Sequence, residues 1–203
     1  MSNILPAMLS HLRITFLGVL AAVILGLPTA AFLIRHDKLR KMLFIIVDAI
    51  QTVPSLAMLT FVMLIFGLND TTVIVAIFLY SLFPVLRNTY VGLASVDKGT
   101  IRAGKGIGMT DLQIFSMIRF PLAAPMILTG IRLSIVSALG LATTGVFIGA
   151  GGLGMLIWRG IQTRNMGMMM SGAVPVFLLA ILFEYVIGLF EKQLNKRQRR
   201  SIS

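Results

Sequence analysis

The sequence contains no cysteine and only two histidines among its 203 residues. Without cysteine the chain forms no disulfide and no thiolate metal site. His11 and His36 are far apart and belong to no ligand-spaced cluster, so no metal site is expected. The phosphate-binding pattern G-x-x-x-x-G-K-[ST] is also absent, so any ATP would be hydrolysed by another chain.

Apolar residues are abundant: they make up 57% of the chain, and the mean hydropathy is +0.94. The predicted membrane spans are 14–34, 42–68, 72–93, 126–148 and 171–190. Each is close to the roughly 20 residues that cross a bilayer as a helix, and the runs are too continuous for alternating barrel strands. The sequence therefore predicts a single transmembrane domain over residues 1–203, an all-α polytopic bundle of five spans.

The distribution of cations predicts the orientation of the bundle. Four cations follow the first span: Arg35, Lys38, Arg40 and Lys41. Residues 67–72, after the second span, contain none, so the amino terminus is expected outside and the carboxyl terminus in the cytoplasm. Arg159 and Arg164, in the short fourth-to-fifth connection, are exceptions. The net charge of +11 lies mainly at membrane boundaries, which favours contact with the bilayer over nucleic acid.

Residues 94–121, the coupling loop, are polar and basic and interrupt the apolar pattern. A short helix is expected to end near Gly106 and Gly108, and Thr110 and Gln113 have the spacing of a capping box that starts a second helix. Pro121 is expected to end that second helix before the next span. On this evidence the loop is either a compact cytoplasmic helix pair or an amphipathic hairpin at the lipid headgroups.

The coupling loop resembles the EAA loop of binding-protein-dependent ABC importer permeases, whose pattern is E-A-A, three residues, G, nine residues, I-x-L-P. The matching residues, which the resemblance implies contact the ATPase, are Arg102, Ala103, Gly104, Gly108, Ile118, Phe120 and Pro121. Arg102 replaces the usual glutamate, Gly104 the second alanine and Phe120 the leucine. The reversed charge at Arg102 predicts either an acidic, neutral or apolar docking surface on the ATPase, or a degenerate half of a heterodimer.

Two further stretches resemble permeases for glycine betaine, carnitine and choline. They are FIGAGGLG at residues 147–154, which methionine permeases share, and QTVPSLA at residues 51–57. The resemblance extends over about residues 10–192 and implies a MetI-like permease core in the cell membrane. It also implies a second permease subunit, identical or homologous, two ATPase subunits that bind ATP and magnesium, and an extracytoplasmic binding protein. No cofactor is expected on this chain.

Polar residues near mid-span and the glycine run give the predicted pathway and gate: Gln51, Thr52, Ser55, Thr143, Thr144, Gly149, Gly151, Gly152 and Gly154. The glycine run is expected either as a re-entrant turn at the outer gate or as a flexible outer loop. Arg132 and Glu184 are at similar depth in their spans, and an unpaired charge there is costly, so an ion pair is predicted.

Three classes of function stay open from the residues. The first is an ABC permease subunit, for an osmoprotectant or alternatively for methionine or another small amino acid. The second is a self-sufficient channel or secondary carrier, for which internal repeats and coupling acids are typical. The third is a membrane enzyme or assembly factor, for which a hydrolase would need a nucleophile beside a base. Neither of the last two patterns is found in the sequence.

Overall fold

The structure is a computed structural model that describes residues 4–200, with side chains through Lys196. Its α-helices are α1 Ile4–Leu33, α2 Asp37–Thr52, α3 Ser55–Phe66, α4 Asp70–Ala94, α5 Lys98–Gly106, α6 Asp111–Ile114, α7 Phe120–Thr144, α8 Leu153–Gln162 and α9 Met166–Arg200. A π-helical segment, Phe115–Arg119, precedes α7, and a 3-10 turn, Gly145–Ile148, follows it. Between residues 4 and 200 no strand is present, and the predicted all-α class is confirmed.

Between residues 4 and 200, four helical stretches are long and apolar enough to cross a membrane, or five if the bent pair α2 and α3 forms one span. They are Ile4–Leu33, Asp70–Ala94, Asp111–Ile148 and Met166–Lys196. These overlap the first, third, fourth and fifth predicted spans, although α1 begins ten residues earlier and α9 runs well beyond residue 190. Helices longer than the bilayer is thick must tilt or protrude from it.

The second predicted span, 42–68, is not one straight helix. Helices α2 and α3 meet at 104° across Pro54. Val53 has an extended backbone, with ψ at 127°, because the ring of Pro54 disfavours helical geometry in the residue before it. The prediction of a continuous helix is therefore corrected to a bent pair.

Glycines allow the three central helices to pack closely. Gly18 of α1 lies against Ile77 of α4, and Gly26 lies against Val85. A methyl group on Gly130 of α7 would lie 2.6 Å from the carbonyl oxygen of Pro84 in α4. Small residues at such positions let backbones approach and gain van der Waals contact, which is the main attraction between helices in lipid.

The connection between the last two spans was expected to be short, but it contains a further helix, α8. Its ten residues pack against the start of α9, where Gly160 lies against the backbone of Met169 and Gly172 against Leu153 and Ile157. The sequence signal was weak because α8 is too short to be recognised as a span. Further along α9, apolar side chains such as Phe177 are exposed, as expected for a lipid-facing surface.

Candidate translocation pathway and coupling loop

The coupling loop begins with helix α5, and residues that flank this helix in the chain cap both of its ends. The Asp97 carboxylate accepts the Thr100 amide at 2.7 Å, and this hydrogen bond holds the pKa of Asp97 below its ordinary value. At the other end Gly108 has φ of +85°, and the Met109 amide donates to the Gly104 carbonyl at 3.1 Å. This is a Schellman motif, which favours glycine at the left-handed position.

Helix α6 begins with the predicted capping box, which is confirmed. The Thr110 amide donates to Gln113 Oε1 at 2.8 Å, and the Gln113 amide donates to Thr110 Oγ1 at 3.3 Å. Two amides that the first helical turn leaves without partners are thereby satisfied. The short helix α5 is therefore joined through Gly108 to α6, which begins at the predicted cap.

Gly104 brings these two helices together. A methyl group there would lie 3.0 Å from Ile118 Cδ1 and 3.2 Å from Met109 Sδ, so a small residue is needed at this position of the motif. Arg102 and Ala103 are exposed. Large exposed apolar side chains also lie on the coupling loop: Ile107, Leu112, Met117 and Phe120. The surface of the loop thus carries exposed cations, namely Lys98, Arg102 and Lys105, together with several apolar groups.

The prediction that Pro121 ends the second helix is wrong. Residues Asp111–Ile148 form one continuous helical rod that includes the π-helical segment. Within that segment the amide of Phe120 donates to the carbonyl of Phe115, five residues back. Pro121 then occupies the first turn of α7, where the missing amide is tolerated.

A cavity of about 230 Å³ lies beside the bend between α2 and α3. Its polar and small lining residues are Ser55, Tyr80, Ser81, Ser137, Gly140 and Thr144. The first comes from α3, the next two from α4 and the last three from α7. Hydroxyl groups and small apolar side chains, with no acid or base among the lining residues, suit a small polar solute that is bound weakly.

Tyr80 and Gln51 support the bend by hydrogen bonds between α2 and α4. Pro84 has no amide to donate to the Tyr80 carbonyl four residues earlier, and the Gln51 side chain donates to that carbonyl instead, at 2.7 Å. The Tyr80 hydroxyl in turn donates to the carbonyl of Val53, at the end of α2. The two side chains therefore satisfy carbonyls on each other's helix.

The structure brings together only part of the predicted pathway set. Ser55 and Thr144 line the cavity, and Gln51 hydrogen bonds beside it. The hydroxyls of all three predicted threonines donate to carbonyls of their own helices, at 2.7 Å for Thr52, 2.6 Å for Thr143 and 2.7 Å for Thr144. Neither Thr52 nor Thr143 lines the cavity.

Tyr80, Ser81 and Ser137 were missed by sequence reasoning. Ser137 is seven residues from Thr144 and so on the same helical face, and Tyr80 is four residues before a proline. These two spacings could have identified Ser137 and Tyr80.

The predicted gate, residues 149–154, is an ordered turn packed on α1 and α4. Asp70 accepts the Gly151 amide at 3.1 Å and pairs with Arg13 at 2.8 Å. Gly152 has φ of +106° and lies against the buried His11, while Gly154 lies against the Thr143 carbonyl. These residues therefore form a packed turn, and their role as a gate stays a prediction.

The predicted pair of Arg132 and Glu184 is present, with 2.9 Å between Nη1 and Oε1. Arg132 Nη2 also lies 3.3 Å from Glu191 Oε2. Sequence reasoning missed Glu191, although it is seven residues after Glu184 and therefore on the same face of α9. The guanidinium bridges two carboxylates and joins α7 to α9, which suits a structural role.

Comparison with protein families gives a match over residues 18–200 to the binding-protein-dependent transport system inner membrane component. This chain belongs to that family. It is thus a multi-pass membrane protein and an ABC transporter permease component. The continuous rod, the cavity and the coupling loop are the parts of this family member that the structure defines.

Curated relatives cover nearly the whole chain. The glycine betaine/carnitine/choline transport system permease protein OpuCD of Bacillus subtilis is 39% identical over 94% of this chain and 83% of its own length. The carnitine transport permease protein OpuCD of Listeria monocytogenes is 40% identical over 95% and 88%. The osmoprotectant import permease protein OsmW of Salmonella typhimurium is 35% identical over 87% and 85%.

Solved structures support the fold of this permease family member. A chain of the MetNI methionine ABC transporter in an inward-facing conformation superposes with a TM-score of 0.84, at 22% identity, over 96% of this chain and 97% of that one. A chain of an amino acid ABC transporter crystallised with histidines gives 0.77, also at 22% identity, over 95% and 94%. At this identity the likeness concerns the fold alone, and the predicted MetI-like fold is confirmed.

Proposed function

We propose that this chain is the permease subunit of an ABC importer for quaternary ammonium osmoprotectants of the glycine betaine, carnitine and choline type. The observation that carries the proposal is its 39% identity, over 94% of its length, to the Bacillus subtilis permease named for those three solutes. The orientation that we propose places the amino terminus outside and the coupling loop and carboxyl terminus in the cytoplasm, in agreement with the cation distribution.

The translocation path in this proposal passes the cavity beside Pro54. Its lining offers the hydroxyls of Ser55, Ser137 and Thr144 and the ring of Tyr80, but no carboxylate. A quaternary ammonium ion would pass over such a surface without a fixed counter-ion, so its residence would be short. Tight selection is then left to an extracytoplasmic binding protein, and residues 149–154 act as the outer gate.

The coupling loop receives force from two ATPase subunits, which bind ATP and magnesium. The rod begins at Asp111, within the coupling loop that contacts the ATPase in this proposal. The cavity residues Ser137, Gly140 and Thr144 lie toward its other end. At about 1.5 Å per residue it is roughly 55 Å long. Because the stretch is helical from end to end, a displacement at the ATPase would reach the cavity as a tilt of α7.

A second permease subunit, either a copy of this chain or a homologue, completes the path. Arg102 is exposed on the coupling loop, so its positive charge is complementary to an acidic ATPase surface and compatible with a neutral one. Arg102→Glu is expected to weaken co-purification of the cognate ATPase. Lys38→Glu, which reverses an exposed charge outside the coupling loop, is the control. Unchanged or stronger assembly of the Arg102 variant would contradict a charge-matched partner.

Reconstituted uptake tests the proposed function. The permease and the cognate ATPase are reconstituted into proteoliposomes together with the binding protein. ATP-dependent uptake of labelled glycine betaine is then measured. Choline and carnitine are expected to compete, whereas methionine is not. Uptake at full rate without the ATPase would show a channel or carrier instead, and competition by methionine alone would show an amino-acid permease.

A further inference from the structure

A second cavity, of about 180 Å³, lies at the coupling-loop end of the molecule. Its walls come from the end of α1, from α5 and α6, and from the π-helical segment before α7. The charged residues that line it are Arg35, Lys105, Asp111 and Arg119, and apolar residues such as Ile34 and Phe115 complete its walls. It is separate from the cavity assigned to the translocation path.

The cations that line this second cavity outnumber the carboxylates of the described residues that pair with them. Asp111 lies 2.9 Å from Arg35 Nη2 and 3.9 Å from Lys105 Nζ, so one carboxylate is shared between two cations. Arg119 is half-buried, and no acidic side chain within the described part of the chain lies within 4.0 Å of it. Three cations therefore face a single carboxylate.

We infer that this cavity binds the phosphate of an anionic phospholipid. Guanidinium groups such as those of Arg35 and Arg119 match phosphate oxygens through paired N–H donors, and Lys105 adds a third charge. Basic pockets at the cytoplasmic ends of membrane helices are suited to anionic headgroups. The chemistry recognised is a phosphate group that carries net negative charge.

The position of the cavity favours a lipid over a free phosphate. Arg35 follows the end of α1 by two residues, and Arg119 immediately precedes α7, so both are at the ends of membrane helices. The apolar residues Ile34 and Phe115 give a surface for the start of an acyl chain. Assignment to the inner leaflet rests on the orientation proposed above, but binding of the headgroup does not.

A bound headgroup would join three parts of the protein that the exposed Asp111 pairs connect weakly. It would tie the end of α1 and helix α5 to the base of the rod. The lipid therefore stabilises the attachment of the coupling loop to the bundle. Such a role is independent of which solute is transported.

Native mass spectrometry of the purified full-length chain in detergent tests the site. We expect one molecule of phosphatidylglycerol to be retained in preference to phosphatidylcholine. Arg119→Gln is expected to lower the affinity for phosphatidylglycerol about fivefold, the effect of roughly one interfacial charge. Lys105→Gln is expected to act in the same direction, and because Lys105 is 63% exposed this variant should fold.

Lys38→Gln is the matched control. Lys38 is an exposed cation three residues after Arg35 in the chain, and it does not line the cavity. Equal losses in the Lys38 and Lys105 variants would overturn the site in favour of general surface attraction. Displacement of the lipid by millimolar inorganic phosphate would overturn the lipid assignment. Displacement by the cognate ATPase would show that the cavity belongs to the docking surface. None of these measurements depends on transport, so their outcome is separable from the proposed function.

Discussion

The coupling loop and the bend between α2 and α3 are held together by hydrogen bonds of very different reach. In the loop, Asp97 caps Thr100, and Thr110 exchanges two bonds with Gln113, each pair being three residues apart. At the bend, Gln51 bonds a carbonyl 29 residues away and the Tyr80 hydroxyl one that is 27 residues away. One region is organised by its own sequence, and the other depends on a neighbouring helix.

This difference follows from where each region lies. The loop is at the membrane boundary, where water can satisfy a backbone group that lacks a partner. The bend lies within the apolar stretch 42–68, where lipid offers no hydrogen-bond donor, so a free carbonyl is costly and must find a donor from protein. We therefore expect variants at the bend to affect the whole bundle and variants in the loop to act locally.

The largest effect is expected from Gly130→Leu, which disrupts the close packing of α7 on α4, the helix that supports the bend. The new side chain would collide with the Pro84 carbonyl, four residues after Tyr80, and force α4 and α7 apart. We expect a loss of about 3 kcal/mol in the free energy of unfolding, measured by denaturant titration in detergent.

Gly140→Leu provides the control on the same helix. No atom lies within 4 Å of the position that its new Cβ would occupy, so little loss of stability is expected. Since Gly140 lines the cavity, solute uptake should nevertheless fall. Equal destabilisation by the two leucines would contradict the close approach of α4 and α7.

A smaller effect is expected from Tyr80→Phe, which removes the donor to the Val53 carbonyl. A hydrogen bond contributes about 0.5–1.5 kcal/mol to stability, so loss of this part-buried bond should lower the melting temperature measurably. Tyr185→Phe is the control, because Tyr185 is 65% exposed on α9. If both substitutions had the same effect, the hydroxyl of Tyr80 would not support the bend.

Gln51→Leu should cost less, about 0.6 kcal/mol, the average for hydrogen bonds between membrane helices. The Tyr80 carbonyl loses its side-chain donor, but leucine retains apolar packing against α4. A double-mutant cycle with Tyr80→Phe measures how far the two bonds act together. Strict additivity of the two losses would show that they are independent supports.

The smallest effect is expected from Thr110→Ala in the coupling loop. Loss of the capping box should cost about 0.5 kcal/mol, at the low end for an exposed cap. Amide hydrogen exchange at Gln113 should become faster, while the melting temperature of the bundle stays unchanged. A global fall in melting temperature would contradict the local character of the loop. Thr60→Ala, an exposed threonine within α3, controls for the substitution itself.

Sequence patterns predicted the coupling loop well because its determinants are neighbours in the chain. Gly108 as the turn and Thr110 with Gln113 as the cap were both recognisable before the fold was known. Pro121 was misinterpreted, because whether a proline ends a helix depends on the alternatives open to the backbone. Here the π-helical segment accommodates the proline, and a local pattern does not reveal that choice.

The candidate site was only partly predictable. Polarity near mid-span identified Ser55 and Thr144, but it also selected Thr52 and Thr143, which do not line the cavity. Tyr80 was not selected, since its role depends on a carbonyl of another helix. Polarity indicates that a group needs a partner, but it does not identify the partner.

Apolar run length and motif spacing were enough to determine an all-α membrane protein of the permease family, because each reflects the solvent around a segment or bonds within a few residues. Only the tertiary structure decided that α2 and α3 bend by 104°, that the rod from Asp111 is continuous and that Tyr80 and Gln51 support the bend. These features depend on which helices approach closely enough to replace the backbone partners that proline removes.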